Sequence, residues 1–328
     1  MPLGPFIRDA AGADSVTIED GALLAGGAIQ ENRALTVSIH GGAFDGRHDL
    51  VLRTEAMATI SESRPLDQQF ALLKAVEAAG VRVPRPFWHC GDASIAGKPF
   101  YLMERVSGTA LGNRITRAGA QPALAETLAR ELARIHGIQP PHPTLDFLGA
   151  IRDTPAKDAI ATYRGYLDEM PEPHPVLEWT LRWLETSAPP AGETVLCHRD
   201  FRTGNYMVDD DALTAVLDWE FAGWGDPYED IAWFCSRCWR FAGPRLEAGG
   251  IAAREVFYRA YEQASGRTID PALVQYWEAM AHVRWAVIAL QQAMRHRSGN
   301  EIRLELALIG RRIAEIEYEC LKLTGVLS

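Results

Sequence analysis

Four polar side chains lie close together at a spacing that suits a reaction at a hydroxyl group. They follow the pattern H-x-D-x-x-x-x-N, with a further aspartate thirteen residues later, and they are His198, Asp200, Asn205 and Asp218. A positioned carboxylate can accept the proton of an attacking hydroxyl. Amide and carboxylate oxygens are the hard ligands that suit Mg²⁺. We therefore predict Asp200 as the general base and Asn205 with Asp218 as metal ligands, while His198 packs and hydrogen-bonds behind Asp200.

The neighbours of these residues leave some alternatives open. Arg202 lies two residues beyond Asp200, so it either approaches a transferred phosphate or is only a surface charge. Glu220, near Asp218, either contacts metal or substrate or is a solvated loop residue, and the second interpretation is favoured. Aspartate and asparagine are common in turns. The full pattern is more specific, because an acidic turn at residues 209–211 separates two predicted strands and the second of them ends at Asp218.

Composition restricts the class of protein. The chain has 328 residues, is 47% hydrophobic and carries a formal net charge of −10. This charge argues against a nucleic-acid or anionic-membrane binder, both of which need a basic surface. No basic segment followed by an apolar run opens the sequence, and the most apolar stretch, residues 286–290, is too short for a membrane span. With five cysteines, an odd number, reduced thiols and a cytoplasmic location are expected.

The first part of the chain is predicted to be rich in strands. The glycine pair Gly26 and Gly27 precedes a strand at residues 34–40. This turn either brings backbone N–H groups to a phosphate or is a plain hairpin turn. Residues 1–20 carry little signal. Further elements are a strand at 49–53, a helix at 66–79, and paired strands at 87–90 and 99–103.

Helical periodicity dominates afterwards. Cys235 and Cys238 form a C-x-x-C without a second pair, so buried thiols are expected rather than zinc ligands. The predicted helices are residues 122–137, 158–170, 176–187, 227–241, 252–263, 271–297 and 301–323.

The segments HRDFRTGN (His198 to Asn205) and LDWEFAGWGDPYEDIA (Leu217 to Ala232) resemble the aminoglycoside phosphotransferase and choline kinase-like superfamily. The resemblance extends over residues 24–297 and is specific in these two segments. It implies an α+β, bilobal protein kinase-like fold with ATP between the lobes and Mg²⁺ as cofactor. A small antiparallel β-rich N-lobe with one main helix would span residues 1–105. A larger, mostly helical C-lobe with the catalytic loop and acceptor site would span residues 106–328.

The resemblance also implies roles for single residues. Gly26, Gly27 and Asn32 fall in a segment similar to the phosphate-covering loop, and Glu104 to Val106 in one similar to the adenine-binding hinge. Asp226 and Asp230 would be structural. Two positions depart from the family pattern: Arg53 stands where the phosphate-pairing lysine is usual, and Gln69 where its glutamate partner is usual. An arginine is a fork that can still bind phosphate, and a Gln69 carbonyl could hold it.

We therefore expect an ATP- and Mg²⁺-dependent phosphotransferase with an alcohol group as acceptor, in which Asp200 and Arg202 are catalytic. Its partner would be a small molecule, either hydroxyacyl-type or aminoglycoside-like, and neither nucleic acid nor membrane. The arginine in a V-L-R strand is similar to that of phosphotransferases related to acyl-CoA metabolism, which favours a metabolite. The alternative, motivated by Arg53 and Gln69, is a nucleotide-binding pseudokinase or scaffold without turnover.

Overall fold

The computed structural model describes residues 2–24, 30–55, 63–151, 154–299 and 301–327. In chain order the strands are β1 (Ser15–Leu23), β2 (Gln30–His40), β3 (Gly46–Glu55), β4 (Pro86–Cys90), β5 (Phe100–Glu104), β6 (Val195–Cys197), β7 (Tyr206–Asp209), β8 (Ala212–Val216) and β9 (Gly223–Gly225). The helices are α1 (Leu3–Ala11), α2 (Leu66–Ala78), α3 (Ala93–Ala96), α4 (Gly112–Arg117), α5 (Pro122–Ile135), α6 (Pro155–Asp168), α7 (Pro175–Thr186), α8 (Pro227–Cys235), α9 (Arg254–Ser265), α10 (Pro271–Arg297), α11 (Leu304–Gly310) and α12 (Ile313–Leu323).

The chain divides into two compact units. The first comprises Met1–Thr109, Pro141–Leu148 and Asn205–Ala222, and the second comprises the remaining segments. Asn205 and Asp218 therefore belong to the first unit, whereas Asp200 and Arg202 belong to the second. The division at residue 105 stays a prediction about domains.

The first unit contains an antiparallel sheet with strand order β1-β2-β3-β5-β4 and a separate hairpin of β7 and β8. Because side chains alternate along a strand, β3 presents Leu50 and Leu52 to the apolar cluster that includes Ile7 of α1. Val51 and Arg53 point to the opposite face. There Tyr101, the register partner of Arg53, contacts Phe70 of α2 with ring centroids 5.9 Å apart.

The second unit is mostly helical. Helix α10 is long and buried on several sides, and it forms the centre of an apolar cluster with α6, α7, α8 and α12. Strands β6 and β9 pair antiparallel, with Cys197 opposite Gly223. A Cβ on Gly225 would lie 2.5 Å from the Glu229 carboxylate, so a larger residue here would displace that side chain from the start of α8. Among the described residues, no helix has the length and apolar character needed to span a membrane.

Most predicted elements are present with small shifts of their ends, but two predictions were wrong. The helix predicted at 227–241 ends at Cys235. The helix predicted at 301–323 consists of α11 and α12, interrupted at Arg311 and Arg312. No element was predicted for residues 1–20, which hold α1 and most of β1. The available signal was the four-residue spacing of Leu3, Ile7 and Ala11, which are buried on one face of α1.

Candidate active site

The loop that carries Asp200 is held by one buried carboxylate, that of Asp230 on α8. Its Oδ2 accepts the His198 backbone N–H at 2.6 Å, and its Oδ1 accepts the Arg199 backbone N–H at 2.7 Å. Arg199 has a φ of 63°, a left-handed conformation that is strained for a non-glycine residue. The two hydrogen bonds hold this strained turn immediately before Asp200.

Asp230 remains charged although it is fully buried. Nε2 of His136 lies 3.2 Å from its Oδ2, and Nδ1 of the same ring lies 2.7 Å from the Tyr261 hydroxyl. Burial raises the pKa of the Asp230 carboxyl, but the hydrogen bonds from His136 and the His198 backbone outweigh it and hold this pKa below its usual range. A charged acceptor strengthens both bonds to the loop.

Asp226 begins the helix on which Asp230 lies. Its Oδ1 accepts the Tyr228 backbone N–H at 2.9 Å, while the Glu229 carboxylate accepts the Asp226 backbone N–H at 3.2 Å. This is a capping box. Burial raises the pKa of Asp226 to about 7. The structural roles predicted for Asp226 and Asp230 are confirmed by these contacts.

The Asp200 carboxylate is oriented by two donors that reach the same oxygen. Its Oδ1 accepts Nε–H of Arg202 at 3.0 Å and Nε1–H of Trp233, on α8, at 2.9 Å. The Arg202 guanidinium also lies over the Trp239 ring, 4.5 Å from its centroid. Arg202 is thus held by Asp200 on one side and Trp239 on the other, with 24% of its side chain exposed, which disfavours its interpretation as a free surface charge. Contact between Arg202 and a transferred phosphate stays a prediction.

Asn205 and Asp218 flank the β7–β8 hairpin. The Asn205 backbone carbonyl accepts the Leu217 N–H at 2.8 Å, which brings the start of β7 beside the end of β8. Asp218 has a φ of 59° and a side chain that is 37% exposed. The two predicted metal ligands are thus placed at the same end of one hairpin. An amide and a carboxylate form a hard oxygen donor set that fits Mg²⁺.

Arg53 pairs with Asp218 in this structure. Its NH1 and NH2 groups lie 3.2 Å and 3.1 Å from Oδ1 of Asp218. Burial lowers the pKa of the Arg53 guanidinium, but the neighbouring acidic groups Tyr101, Asp218 and Glu220 outweigh this effect and raise it overall. The arginine therefore remains charged while only 7% exposed.

The link between Arg53 and Gln69 is indirect. Gln30 lies between them: its Oε1 accepts Nε–H of Arg53, and its Nε2 donates to Oε1 of Gln69 at 3.0 Å. The same Nε2 donates to Oε2 of Glu220 at 3.1 Å. Glu220 is 7% exposed, so its expected position in a solvated loop was wrong.

The other predicted nucleotide-binding residues that the structure describes lie at different positions relative to Arg53. Asn32 of β2 is the register partner of Arg53 on β3, so the two share one face of the sheet. Glu104 ends β5 and Val106 follows it, and no described contact links either of them to Arg53. Gly26 and Gly27 lie outside the described residues. The nucleotide-binding roles of these residues stay predictions.

Sequence reasoning missed Gln30, Trp233 and the buried position of Glu220. One signal was available for Gln30, since it precedes Asn32 by two residues on a strand and therefore shares its face. Trp233 follows Asp230 by three residues on a helix, a spacing that places both on one side. Both signals depend on knowing first which face is functional.

The cysteines take no part in this chemistry. Cys235 and Cys238 are buried, and burial raises the pKa of the Cys235 thiol to about 12. His136, Cys197 and Asp230 bring potential metal-ligating atoms within 4.8 Å of one another. However, the Asp230 oxygens already accept bonds from the loop backbone, so this cluster is explained by its structural role.

The fold is that of the protein kinase-like phosphotransferases. Over its full length the chain matches a candidate aminoglycoside phosphotransferase from Ralstonia eutropha with a TM-score of 0.78 and 22% identity, covering 98% of that chain. It also matches aminoglycoside 2'-phosphotransferase-IIIa in its GDP complex (TM-score 0.59, 17% identity, 96% of this chain and 97% of that one). The predicted fold class, with its antiparallel sheet and mostly helical second part, is confirmed.

Residues 22–277 match the model of the phosphotransferase enzyme family. The chain therefore belongs to this family, which confirms the resemblance recognised in the sequence and the prediction of a phosphotransferase. A relative, acyl-CoA dehydrogenase family member 10 of Mus musculus, is 32% identical over 193 residues, which are 57% of this chain. The matched part spans only 18% of that relative's length.

Proposed function

We propose that this protein is an ATP- and Mg²⁺-dependent small-molecule kinase that transfers a γ-phosphoryl group to a hydroxyl. The observation that carries the proposal is the Asp200 carboxylate, fixed through Oδ1 by Arg202 and Trp233 on a loop held by Asp230. A carboxylate held in this way can accept the proton of an acceptor hydroxyl as its oxygen attacks phosphorus. Such a base contributes about 10²–10⁴-fold to the rate.

The nucleotide and metal would be bound by residues of the first unit. Asn205 and Asp218 would hold Mg²⁺, which neutralises phosphate charge when bound. Arg53 carries a permanent positive charge and two terminal N–H groups that now face Asp218. The same fork suits the oxygens of a phosphate chain. Asn32, Gln69, Glu104 and Val106, with Gly26 and Gly27, complete the proposed nucleotide site, which is supported by the GDP complex of the family-related structure.

The proposed acceptor is a hydroxyacyl-type metabolite rather than an aminoglycoside. Support comes from the arginine at position 53 and from the relative named for acyl-CoA dehydrogenation. It also agrees with the surroundings of Asp200, which combine a cation, Arg202, with the indoles of Trp233 and Trp239. The Arg202 cation attracts an anionic acceptor group and repels a polycation, and it already covers the Trp239 face to which a cation would bind.

The test is an ATP-consumption screen against pooled alcohol metabolites, hydroxyacyl-CoAs and aminoglycosides. Asp200→Asn provides the blank, and Asp9→Asn, at a carboxylate that is 70% exposed, provides the matched control. We expect turnover with at least one pool in the wild type and in Asp9→Asn, and none in Asp200→Asn. Equal turnover in Asp200→Asn would overturn the role of the base.

The alternative is a nucleotide-binding scaffold without turnover. It is favoured by one observation, the ion pair of Arg53 with the proposed metal ligand Asp218. The scaffold predicts that MgATP raises the melting temperature while every acceptor pool leaves ATP unconsumed. A kinase predicts both stabilisation and consumption.

A further inference from the structure

Arg53 is a buried cation whose usual partner is missing from α2. Its side chain is 8% exposed, and position 69 carries a neutral amide. A buried charge without a counter-charge is strongly destabilising. Asp218 supplies one negative charge, but its carboxylate would be a ligand of Mg²⁺ when the metal is bound. In the nucleotide-bound enzyme the phosphates would face NH1 and NH2, so a separate partner at Nε is needed to fix the direction of the guanidinium.

Gln30 is bonded in a way that fixes both ends of its amide. Its oxygen accepts from Arg53, and its nitrogen donates to two acceptors, Oε1 of Gln69 and Oε2 of Glu220. Gln69 is oriented in turn, because its own Nε2 donates to the Arg64 carbonyl at 2.7 Å. The side-chain amide nitrogens of Gln30 and Gln69 therefore both donate to acceptors, and the Gln30 oxygen is directed at Arg53.

Glu220 provides the negative charge at the end of this series of hydrogen bonds, which runs from Arg53 through Gln30. Its Oε2 accepts from Gln30 at 3.1 Å and from the Ser63 hydroxyl at 3.1 Å, and its backbone carbonyl accepts the Arg64 N–H at 2.9 Å. A carboxylate that accepts from the amide nitrogen polarises the amide and makes its oxygen a stronger acceptor. The negative charge thus acts on Arg53 through Gln30.

We propose that Gln30 and Glu220 are positioning residues that replace the missing helix glutamate and set the direction of the Arg53 guanidinium. Gln30 holds Nε, so that NH1 and NH2 remain directed at Asp218 or at the phosphates of a bound nucleotide. A lysine carries all its donors on one nitrogen, so it cannot hold Gln30 through a separate Nε–H while presenting two further nitrogens to the phosphates. This inference rests on the proposed function, because it assigns Arg53 to nucleotide phosphates.

The test measures MgATP affinity by calorimetry together with kcat and KM. In Glu220→Gln and Gln30→Leu we expect about 10-fold weaker MgATP binding and a raised KM, a loss of about 1.4 kcal/mol, with kcat within a few-fold of wild type. Glu126→Gln, on an exposed ion pair of α5, is the matched control and should bind as the wild type does. Melting temperatures establish that each variant is folded.

A rescue variant separates positioning from a merely structural role. Gln69→Glu places a carboxylate on the other acceptor of the same Gln30 nitrogen, so it should restore most of the MgATP affinity of Glu220→Gln. It should not restore Gln30→Leu, which lacks the connecting amide. Wild-type affinity in Glu220→Gln and Gln30→Leu, or the absence of rescue, would overturn the inference. If the wild type itself does not bind MgATP, the proposed function fails first, and with it this inference.

Discussion

In two regions of the molecule, charged side chains are held in place by different kinds of contact. Around Asp200, a fully buried carboxylate, Asp230, holds backbone N–H groups at 2.6 Å and 2.7 Å. Around Arg53, side-chain amides bond to one another, and the described hydrogen bonds of the guanidinium go to the side chains of Gln30 and Asp218. Backbone N–H groups are present whatever the side chain, so the turn before Asp200 needs one side chain, Asp230, for these two bonds. The arrangement around Arg53 depends on several side chains at once and can be rebuilt from other residue types.

The largest effect, a loss of kcat, is expected in the Asp200 region, where Asp230 holds the backbone. Asp200→Ala removes the proposed base and should lower kcat by about 10²–10⁴-fold, with little change in MgATP affinity, because the nucleotide-binding residues belong to the other region. Single-turnover kinetics and calorimetry measure the two quantities. A large loss of MgATP affinity would show that the two regions do not act separately.

Trp233→Phe tests whether orientation of Asp200 matters beyond its presence. This substitution keeps an aromatic ring in the core but removes one donor to a charged oxygen, a bond worth about 1.5–3 kcal/mol. We expect kcat to fall by about 10-fold or more. Trp277→Phe is the matched control, because the Trp277 indole N–H is buried and has no partner within the described part of the chain. Equal losses in both variants would assign the effect to packing.

Arg53→Lys should have a smaller effect, confined to the nucleotide. Lysine cannot bond to Gln30 and Asp218 together in the manner of the fork, so we expect the KM for ATP to rise by about 10-fold with a near-normal kcat. Steady-state kinetics at saturating acceptor measure this. A gain in activity would mean that Arg53 serves only to hold Asp218.

The smallest effect concerns the pH dependence of stability. The pKa of Asp226 is raised to about 7 in the folded state, so its contribution is present below the unfolded value of about 4 and is lost as pH rises through 7. Asp226→Asn retains a good helix cap but cannot titrate. We expect the variant to gain stability relative to wild type between pH 5 and pH 8, as measured by urea unfolding. Parallel curves would contradict this.

The same difference between the two regions explains what the sequence could predict. The Asp200 loop and the predicted metal ligands lie within one short stretch of sequence, from His198 to Asp218. Their spacing is therefore visible without any structure. Gln30 and Glu220 are 190 residues apart, and their contact depends on strand register and on which side of the sheet α2 covers. Local patterns predicted α2 from its helical period, the β4–β5 pair from two extended runs joined by a glycine-containing turn, and α10 from a long stretch that is apolar on more than one side. They could not predict that Glu220 is buried, because loop composition carries no information about burial.

The indoles beside the proposed base have a practical consequence. Trp233 donates its N–H to the Asp200 carboxylate, and Trp239 lies under the Arg202 guanidinium and 4.7 Å from the Trp285 ring. Indole emission responds to charges and hydrogen bonds at the ring. An acceptor whose hydroxyl engages Asp200 will therefore alter the intrinsic fluorescence of the protein. The enzyme thus contains its own optical reporter, and unlabelled compounds can be screened for binding even before any of them is known to be phosphorylated.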